Sequence, residues 1–155
     1  VSILMDSDVE IDNKNKEELR TKGIVIFDWD KGNSIEEQIF KDVDNTTAEK
    51  ILSLVIDENN IVEKQKKLNS CEEICLIEGE SLKLKNGLTA EQKKHIGTVA
   101  KNSSSKKSTN ETSWFKRIDH GEDLGGIIFS QYDQIDSETA LKKTFDAIID
   151  WIKRP

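Results

Sequence analysis

The stretch VSILMDSD at residues 1–8, followed by NKNKEELRT at residues 13–21 and GIVIF at residues 23–27, decides the fold of this protein. The first and last of these segments contain short, continuous apolar runs, which indicate buried strands, while the polar segment between them has the composition of a helix. Gly23 supplies a stop signal for that helix. The order strand, helix, strand predicts a βαβ unit with two parallel strands.

The remainder of the chain favours helices. The predicted helices begin at Ser34, at Thr46 or Thr47, at Thr89 (running to about Lys101) and at Thr139 (running to Ile152). The segment NSSSKKSTNETS at residues 102–113 is polar and of low complexity, and it predicts a flexible loop. The expected fold class is therefore α/β, with a parallel sheet flanked by helices and a largely helical C-terminal half.

Composition and charge limit the kinds of function that the chain can have. The protein has 155 residues and a net charge of −7, which suits one globular domain and argues against a uniformly basic polyanion binder. We find no apolar run of the roughly 18 residues that cross a bilayer and no signal peptide, so we expect a cytoplasmic protein without a membrane partner.

The charges are distributed unevenly along the chain. Residues 1–50 hold seven basic and thirteen acidic residues, whereas residues 83–117 hold nine basic and two acidic ones. This asymmetry suits a site in which carboxylates hold cations and lysines hold phosphates, although on charge alone two solvated faces explain it better.

Two cysteines, Cys71 and Cys75, stand four residues apart in a segment that reads as helix. Reduced, half-buried thiols are a better explanation for them than a disulfide framework. The histidines His95 and His120 have no paired spacing with these cysteines, so the sequence does not predict a zinc site.

Asp6 and Asp8 directly follow the first apolar run, where the carboxyl end of a strand is expected. Ligands of open α/β sheets bind outside that edge, and hard cations such as Mg²⁺ prefer carboxylate oxygens. The βαβ order places the start of the next helix, with Glu36, beside the Asp6–Asp8 loop. We therefore predict a metal site at these three carboxylates. The alternative is that Asp6 and Asp8 only cap a helix or form an Asx-turn, which is the better explanation for Asp28 and Asp30.

Three segments resemble a known family: LMDSD at residues 4–8, GIVIFDWDKGNSIEEQIF at 23–40 and SWFKRIDHGEDLGGIIF at 113–129. They are similar to the TOPRIM nuclease domain of the OLD family of ATP-dependent endonucleases, and among these to the endonuclease subunits of Gabija antiphage systems. The resemblance implies a TOPRIM-like, Rossmann-like sheet and begins partway into the domain. Residues 1–155 would then be the C-terminal part of a TOPRIM domain. The ATPase domain and a first catalytic strand ending in glutamate would lie outside this chain.

The resemblance also implies roles for individual residues. Asp6, Asp8 and Glu36 would hold Mg²⁺ or Mn²⁺, two ions being expected, and Lys116 would act with Asp6 and Asp8 in catalysis near the scissile phosphate. Glu122, in the third segment, could be another carboxylate of the site, but an acid on the surface of a helix is the better explanation for it. The basic residues expected to contact DNA phosphates beside this site are Lys93, Lys94, Lys101, Lys106, Lys107 and Arg117.

The activity implied is metal-dependent nicking or cleavage of double-stranded DNA in bacterial antiphage defence. The family resemblance further implies a homo-oligomer (dimer or tetramer), a UvrD-like helicase partner, and ATP bound through the ATPase domain.

Two other interpretations remain open. The pattern VSILMDSDV also fits a haloacid-dehalogenase-like phosphatase with Asp6 as nucleophile and Asp8 as acid/base, although Ile127–Phe129 is followed by Ser130 rather than by the paired acids that such a fold requires. The other interpretation is a non-catalytic acidic α/β domain that only assembles with partners.

Overall fold

A computed structural model of the protein describes residues 1–7, 12–29, 32–68, 74–79, 81–102 and 118–154. Strand β1 (Ser2–Leu4) and strand β2 (Val25–Phe27) pair in parallel, with Ser2 opposite Val25 and Leu4 opposite Phe27. Helix α1 (Asn13–Thr21) connects them. The predicted βαβ unit is confirmed, and Gly23 adopts a left-handed conformation with φ of 76° just after α1.

The elements after β2 are mainly helical. They comprise α2 (Ile35–Asp42), α3 (Asn45–Leu52), α4 (Ile61–Lys67), β3 (Cys75–Glu78), β4 (Ser81–Leu84), α5 (Ala90–Asn102), α6 (Ile118–Ser130), a 3₁₀ turn (Tyr132–Gln134) and α7 (Ala140–Ile152). The described ranges thus hold seven α-helices, one parallel strand pair and one antiparallel hairpin. The fold is mixed α/β and mostly helical, and no helix within these ranges is both long and apolar enough to cross a bilayer.

The core lies where α2, α3 and α5 meet the β3–β4 hairpin and the last two helices. Phe40, Ile51 and Leu141 are fully buried there. Helices α2 and α5 approach closely at Gly97: a Cβ added at this position would lie 2.7 Å from Glu37 Cα. The absence of a side chain at Gly97 therefore sets the distance between the first turn of α2 and the middle of α5.

Two local predictions about the segment from 46 to 75 are wrong. Asp44, rather than Thr46 or Thr47, caps α3, because its carboxylate accepts from Thr47 N at 2.6 Å. Cys75 begins a strand instead of lying in a helix, and it pairs with Leu84 across the hairpin. Strand β3, which begins at Cys75, is followed by Gly79, whose φ of 63° suits a tight turn. Cys75 itself is buried.

The ends of the other helices agree closely with the sequence. Ser34 caps α2 as predicted, with a complete capping box to Glu37. The helix predicted from Thr139 to Ile152 is α7, and Thr139 is its N-cap. Thr89 begins α5 through a reciprocal pair of hydrogen bonds with Gln92. The segment 102–113, predicted as a flexible loop, lies outside the described residues apart from Asn102, which ends α5.

The apolar strands are less buried than their sequences predict. Leu4 is 40% exposed and Val25 is 37% exposed, whereas Phe27 packs edge-on against Trp151 of α7 at 6.4 Å between ring centroids. Ile152, the last residue of α7, is 66% exposed.

Candidate metal centre

The end of β1 meets the beginning of α2 through Asp6. Met5 N donates to Phe27 O at 2.9 Å, which continues the parallel ladder beyond β1. The next residue, Asp6, accepts a hydrogen bond from Ile35 N at its Oδ1 atom, at 2.7 Å. The carboxylate of Asp6 therefore lies at the positive end of the α2 dipole, beside the helix turn that carries Glu36.

The loop after β1 and the loop after β2 are joined at Ser7. Ser7 N donates to Asn33 O at 3.2 Å, and Gly32 N donates to Ser7 O at 2.8 Å. The Ser7 hydroxyl donates to Trp29 O at 3.1 Å and accepts from Trp29 N at 3.3 Å. The buried Trp29 indole in turn donates to Asn33 O at 3.0 Å. These contacts leave the two loops little freedom to separate.

Glu36 is a largely buried residue in the first turn of α2. The residue is 8% exposed, and within the described part of the chain its side chain has no hydrogen bond or ion pair. Its carboxylate oxygens are not among the buried side-chain atoms that lack a hydrogen bond, so solvent reaches them. The donor set of Asp6 and Glu36 consists of carboxylate oxygens, which is the chemistry that Mg²⁺ and Mn²⁺ prefer. Asp6 and Glu36 are therefore candidate ligands for a hard divalent cation.

Glu37 fixes the start of α2. Its Oε2 atom accepts from Ser34 N at 2.9 Å, and its Oε1 atom accepts from Thr98 of α5 at 2.9 Å. Lys101 Nζ lies 3.4 Å from Glu37 Oε2. Burial alone would raise the pKa of Glu37, but the Ser34 amide, the Thr98 hydroxyl and the Lys101 ammonium together hold that pKa below its ordinary value.

A chain of side-chain hydrogen bonds connects this region to the last helix. Asn33 donates to Gln38 at 2.8 Å, and Gln38, which is fully buried, donates to Asp42 Oδ2 at 2.7 Å. The same Asp42 oxygen accepts from Leu141 N at 2.8 Å. The loop between β2 and α2 is thus supported by the beginning of α7.

The lysines of α5 occupy three different environments. Lys93 donates through Nζ to Val43 O, and its burial lowers its pKa although Asp44 and Asp42 oppose that effect. Lys101 pairs with Glu37, as described above, while Lys94 is exposed.

The other acids of the first and third segments are placed as follows. Asp28, predicted to be a turn or capping residue, instead pairs with Lys16 at 2.7 Å. Glu122 is exposed on α6, which agrees with its interpretation as an acid on a helix surface.

Several predicted site residues lie outside the described residues: Asp8, Asp30, Lys106, Lys107, Lys116 and Arg117. Within the described ranges, no group of three or more histidine, cysteine, aspartate or glutamate side chains could hold a metal ion. The described pair of Asp6 and Glu36 therefore needs at least one further ligand to form a complete centre, and the predicted third ligand is Asp8.

Sequence reasoning missed the role of Ser7 and Trp29 in joining the loops, and the role of Glu37 at the start of α2. The spacing of Ser34 and Glu37 is that of a capping box, so Glu37 carried a signal that could have been found. Ser7 and Trp29 carried no such signal, because their contact joins residues 22 positions apart.

The chain matches no family model, and no curated protein or solved structure is significantly similar to it. Its function is therefore inferred from the chemistry of the site and from the motifs in the sequence.

Proposed function

We propose that this chain is the nuclease part of a metal-dependent DNA endonuclease, of the TOPRIM type found in OLD-family proteins. The observation that supports this proposal most directly is the hydrogen bond from Ile35 N to Asp6 Oδ1 at 2.7 Å. It brings the acid at the end of β1 to the helix turn that carries Glu36. The sequence pattern places an acidic pair after one strand and a glutamate at the helix start after the next strand. A shared metal site requires these two places to be close together, as Asp6 and the start of α2 are.

The position of Glu36 is compatible with this proposal. Its side chain makes no hydrogen bond or ion pair within the described residues, so its carboxylate is available as a ligand. Asp6 can keep its bond to Ile35 N when it binds a cation, because a carboxylate offers about four lone-pair positions.

In the proposed mechanism Asp6, Asp8 and Glu36 hold the cation. When bound, Mg²⁺ or Mn²⁺ lowers the pKa of an attacking water and stabilises negative charge on the phosphodiester oxygens. Lys116 supplies a fixed positive charge near the scissile phosphate. Lys94, which is exposed on α5, suits a contact to the DNA backbone, whereas Lys93 and Lys101 would first have to leave Val43 O and Glu37.

The wider proposal follows the same resemblance. The protein would act on double-stranded DNA in bacterial antiphage defence, as a homo-oligomer, with an ATPase domain and a UvrD-like helicase as partners.

A phosphatase of the haloacid-dehalogenase type receives less support. That interpretation needs a later apolar strand at Ile127–Phe129, and these residues instead belong to helix α6.

The test is to titrate Mn²⁺ against the protein by calorimetry and by electron paramagnetic resonance of the free ion. Asp6→Asn keeps an oxygen that can accept from Ile35 N, and Glu36→Gln keeps the side-chain volume, so both variants change charge rather than shape. Removal of a residue that hydrogen bonds to a metal ligand typically weakens metal binding about 10–100-fold. Removal of the ligand itself should therefore weaken Mn²⁺ binding at least about tenfold.

Glu122→Gln, on the exposed surface of α6, is the matched control and should bind Mn²⁺ like the wild type. A parallel assay follows conversion of supercoiled plasmid to the nicked form. If the wild type binds no Mn²⁺, or if Asp6→Asn and Glu36→Gln bind it normally, the metal site is refuted and the non-catalytic assembly domain is favoured. Hydrolysis of a small phosphoester without nicking would favour the phosphatase.

A further inference from the structure

Three aromatic side chains, those of Phe129, Tyr132 and Phe145, form a cluster where the end of α6 meets α7. Phe129 stacks on Tyr132 with 5.8 Å between ring centroids and an interplanar angle of 27°, and its ring centroid lies 5.6 Å from that of Phe145. Tyr132 and Phe145 pack against the core. Phe129 itself is 55% exposed, although the residue before it, Ile128, is buried. Helix α6 therefore presents the Phe129 ring to solvent while two anchored rings hold it in place.

An exposed ring with a fixed position is well suited to bind another molecule. The anchors of protein interfaces are commonly large aromatic side chains that a partner covers, and they release water from apolar surface on binding. Because Phe129 is already held by its neighbours, it loses little side-chain freedom when it is covered.

The charges around the aromatic cluster are mainly negative. The Tyr132 hydroxyl donates to Asp146 Oδ1 at 2.6 Å. Burial is the largest cause that raises the pKa of this hydroxyl, and the negative charges of Asp146, Asp150 and Asp133 raise that pKa further. Asp133 and Asp150 are exposed and form no ion pair within the described part of the chain. This field favours a cationic partner and disfavours the phosphates of DNA.

The aromatic cluster already accommodates one cation, which belongs to the chain itself. Lys142 Nζ lies 3.2 Å from the centroid of the Tyr132 ring and 3.6 Å from Asp146 Oδ1, and the Lys142 side chain is only 13% exposed. A ring face and a carboxylate thus hold an ammonium group together. The exposed Phe129 ring and the two unpaired carboxylates offer the same combination to a cation from another molecule.

We propose that Phe129, together with Asp133 and Asp150, binds an arginine-bearing segment of a partner protein. The guanidinium group is planar and weakly hydrated, so it can stack on an aromatic ring while its N–H groups donate to a carboxylate. A lysine ammonium lacks this planar stacking surface. The inference concerns residues other than the candidate metal ligands, so it goes beyond the proposed function and does not depend on it.

The probe for this surface is an acetylated and amidated nonapeptide in which arginine and alanine alternate. Calorimetry at physiological salt measures its Kd. The control peptide has citrulline in place of arginine, because citrulline keeps the planar shape and lacks the charge. We expect the citrulline peptide to bind the wild type at least about fivefold more weakly, since it loses both the cation–π contact and the ion pair.

The variants separate the ring from the carboxylates. Phe129→Ala should raise the Kd for the arginine peptide at least about fivefold, and Phe129→Leu, which keeps an apolar side chain without a ring, should raise it about two- to fivefold. The double variant Asp133→Asn/Asp150→Asn should raise it at least about threefold. The matched controls are Val62→Ala, at a side chain that is 66% exposed on α4, and Glu91→Gln, at an exposed acid of α5. Both controls should bind the peptide like the wild type.

Four outcomes would overturn the inference. The wild type could fail to bind the arginine peptide, or it could bind the citrulline peptide or a thymidine dodecamer equally well. The control variants could lose as much affinity as the Phe129 and aspartate variants, which would indicate unspecific attraction to an acidic protein. Finally, Phe129→Ala could abolish self-association without affecting the peptide, which would make this face an interface between copies of the chain. Thermal unfolding of each variant checks its fold, and if Phe129→Ala does not fold, Phe129→Leu and the aspartate variant decide.

Discussion

Replacing Gly97 by alanine tests the close approach of α5 to the first turn of α2, on which the geometry around Glu36 depends. The added Cβ would lie 2.7 Å from Glu37 Cα and 3.3 Å from Glu36 O. Both atoms belong to the backbone, so no side-chain rotation can relieve the first contact. Helix α2 or helix α5 must move.

The size of the effect follows from two opposing terms. Alanine is favoured over glycine inside a helix by about 1 kcal/mol. Overpacking of a well-packed contact costs about 1–3 kcal/mol, and a clash with backbone belongs in the upper half of that range. We therefore expect Gly97→Ala to lower the free energy of unfolding by about 1–2 kcal/mol, which corresponds to a fall in Tm of about 2–8 °C for a chain of this size.

Gly126→Ala is the matched control, because Gly126 also lies within a helix and a Cβ there would meet no atom within 4 Å. This change should raise the free energy of unfolding by about 1 kcal/mol. Urea unfolding and calorimetry of both variants provide the comparison. If Gly97→Ala stabilises the protein as much as Gly126→Ala does, the tight α2–α5 contact is refuted.

Two further predictions concern single ionisable groups. The folded-state pKa of Glu37 is held below its ordinary value of 4.5, so its carboxylate stabilises the fold above that pH, and this contribution is lost as the pH falls through the lowered pKa. Glu37→Gln should accordingly destabilise the protein at neutral pH in urea unfolding, with a difference that vanishes in acid; a constant difference would contradict this. Burial, followed by the hydrogen bond to Asp146, raises the pKa of Tyr132, so the stability it contributes should fall as the pH rises above the ordinary tyrosine value of 10.0. Tyr132 is the one tyrosine of the chain, so ultraviolet titration reports on it directly. Asp146→Asn should move the pKa of Tyr132 back towards 10.0. An unchanged titration would argue against the contact between Tyr132 and Asp146.

Local sequence signals predicted the parts of the fold that depend on local contacts. Helix α1 is confirmed from Asn13 to Thr21, and so are the cap at Ser34 and the last helix, which Thr139 caps. Such caps satisfy backbone N–H groups within a few residues, so a short stretch of sequence contains all the information needed.

The hairpin at Cys75 was not predicted, because its strands are short and their stability comes from pairing and burial rather than from local preference. Leu82 and Cys75 are buried against the helical core, which a single sequence does not reveal. The N-cap of α3 was misassigned for a different reason. Asp44, Thr46 and Thr47 are all good capping residues, and the choice depends on which position begins the helix.

The candidate site was predictable in outline, since the βαβ order alone brings Asp6 towards the start of α2. The burial of Glu36 and the contact between Ser7 and Trp29 depend on packing between distant segments, and no motif encodes them. The environment of Lys93 also depends on packing between distant segments. Its position in a basic stretch suggested a phosphate contact, but its ammonium group donates to the backbone oxygen of Val43.

The bond between Leu141 N and Asp42 links residues 99 positions apart, and this separation has a consequence for biosynthesis. Chains emerge from the ribosome from the N-terminus, so α2 and the loop before it are made long before α7. During that interval Asp42 lacks the Leu141 amide that it bonds in the folded protein. We therefore expect the end of α2 to complete its hydrogen bonds only when α7 has been synthesised and docks.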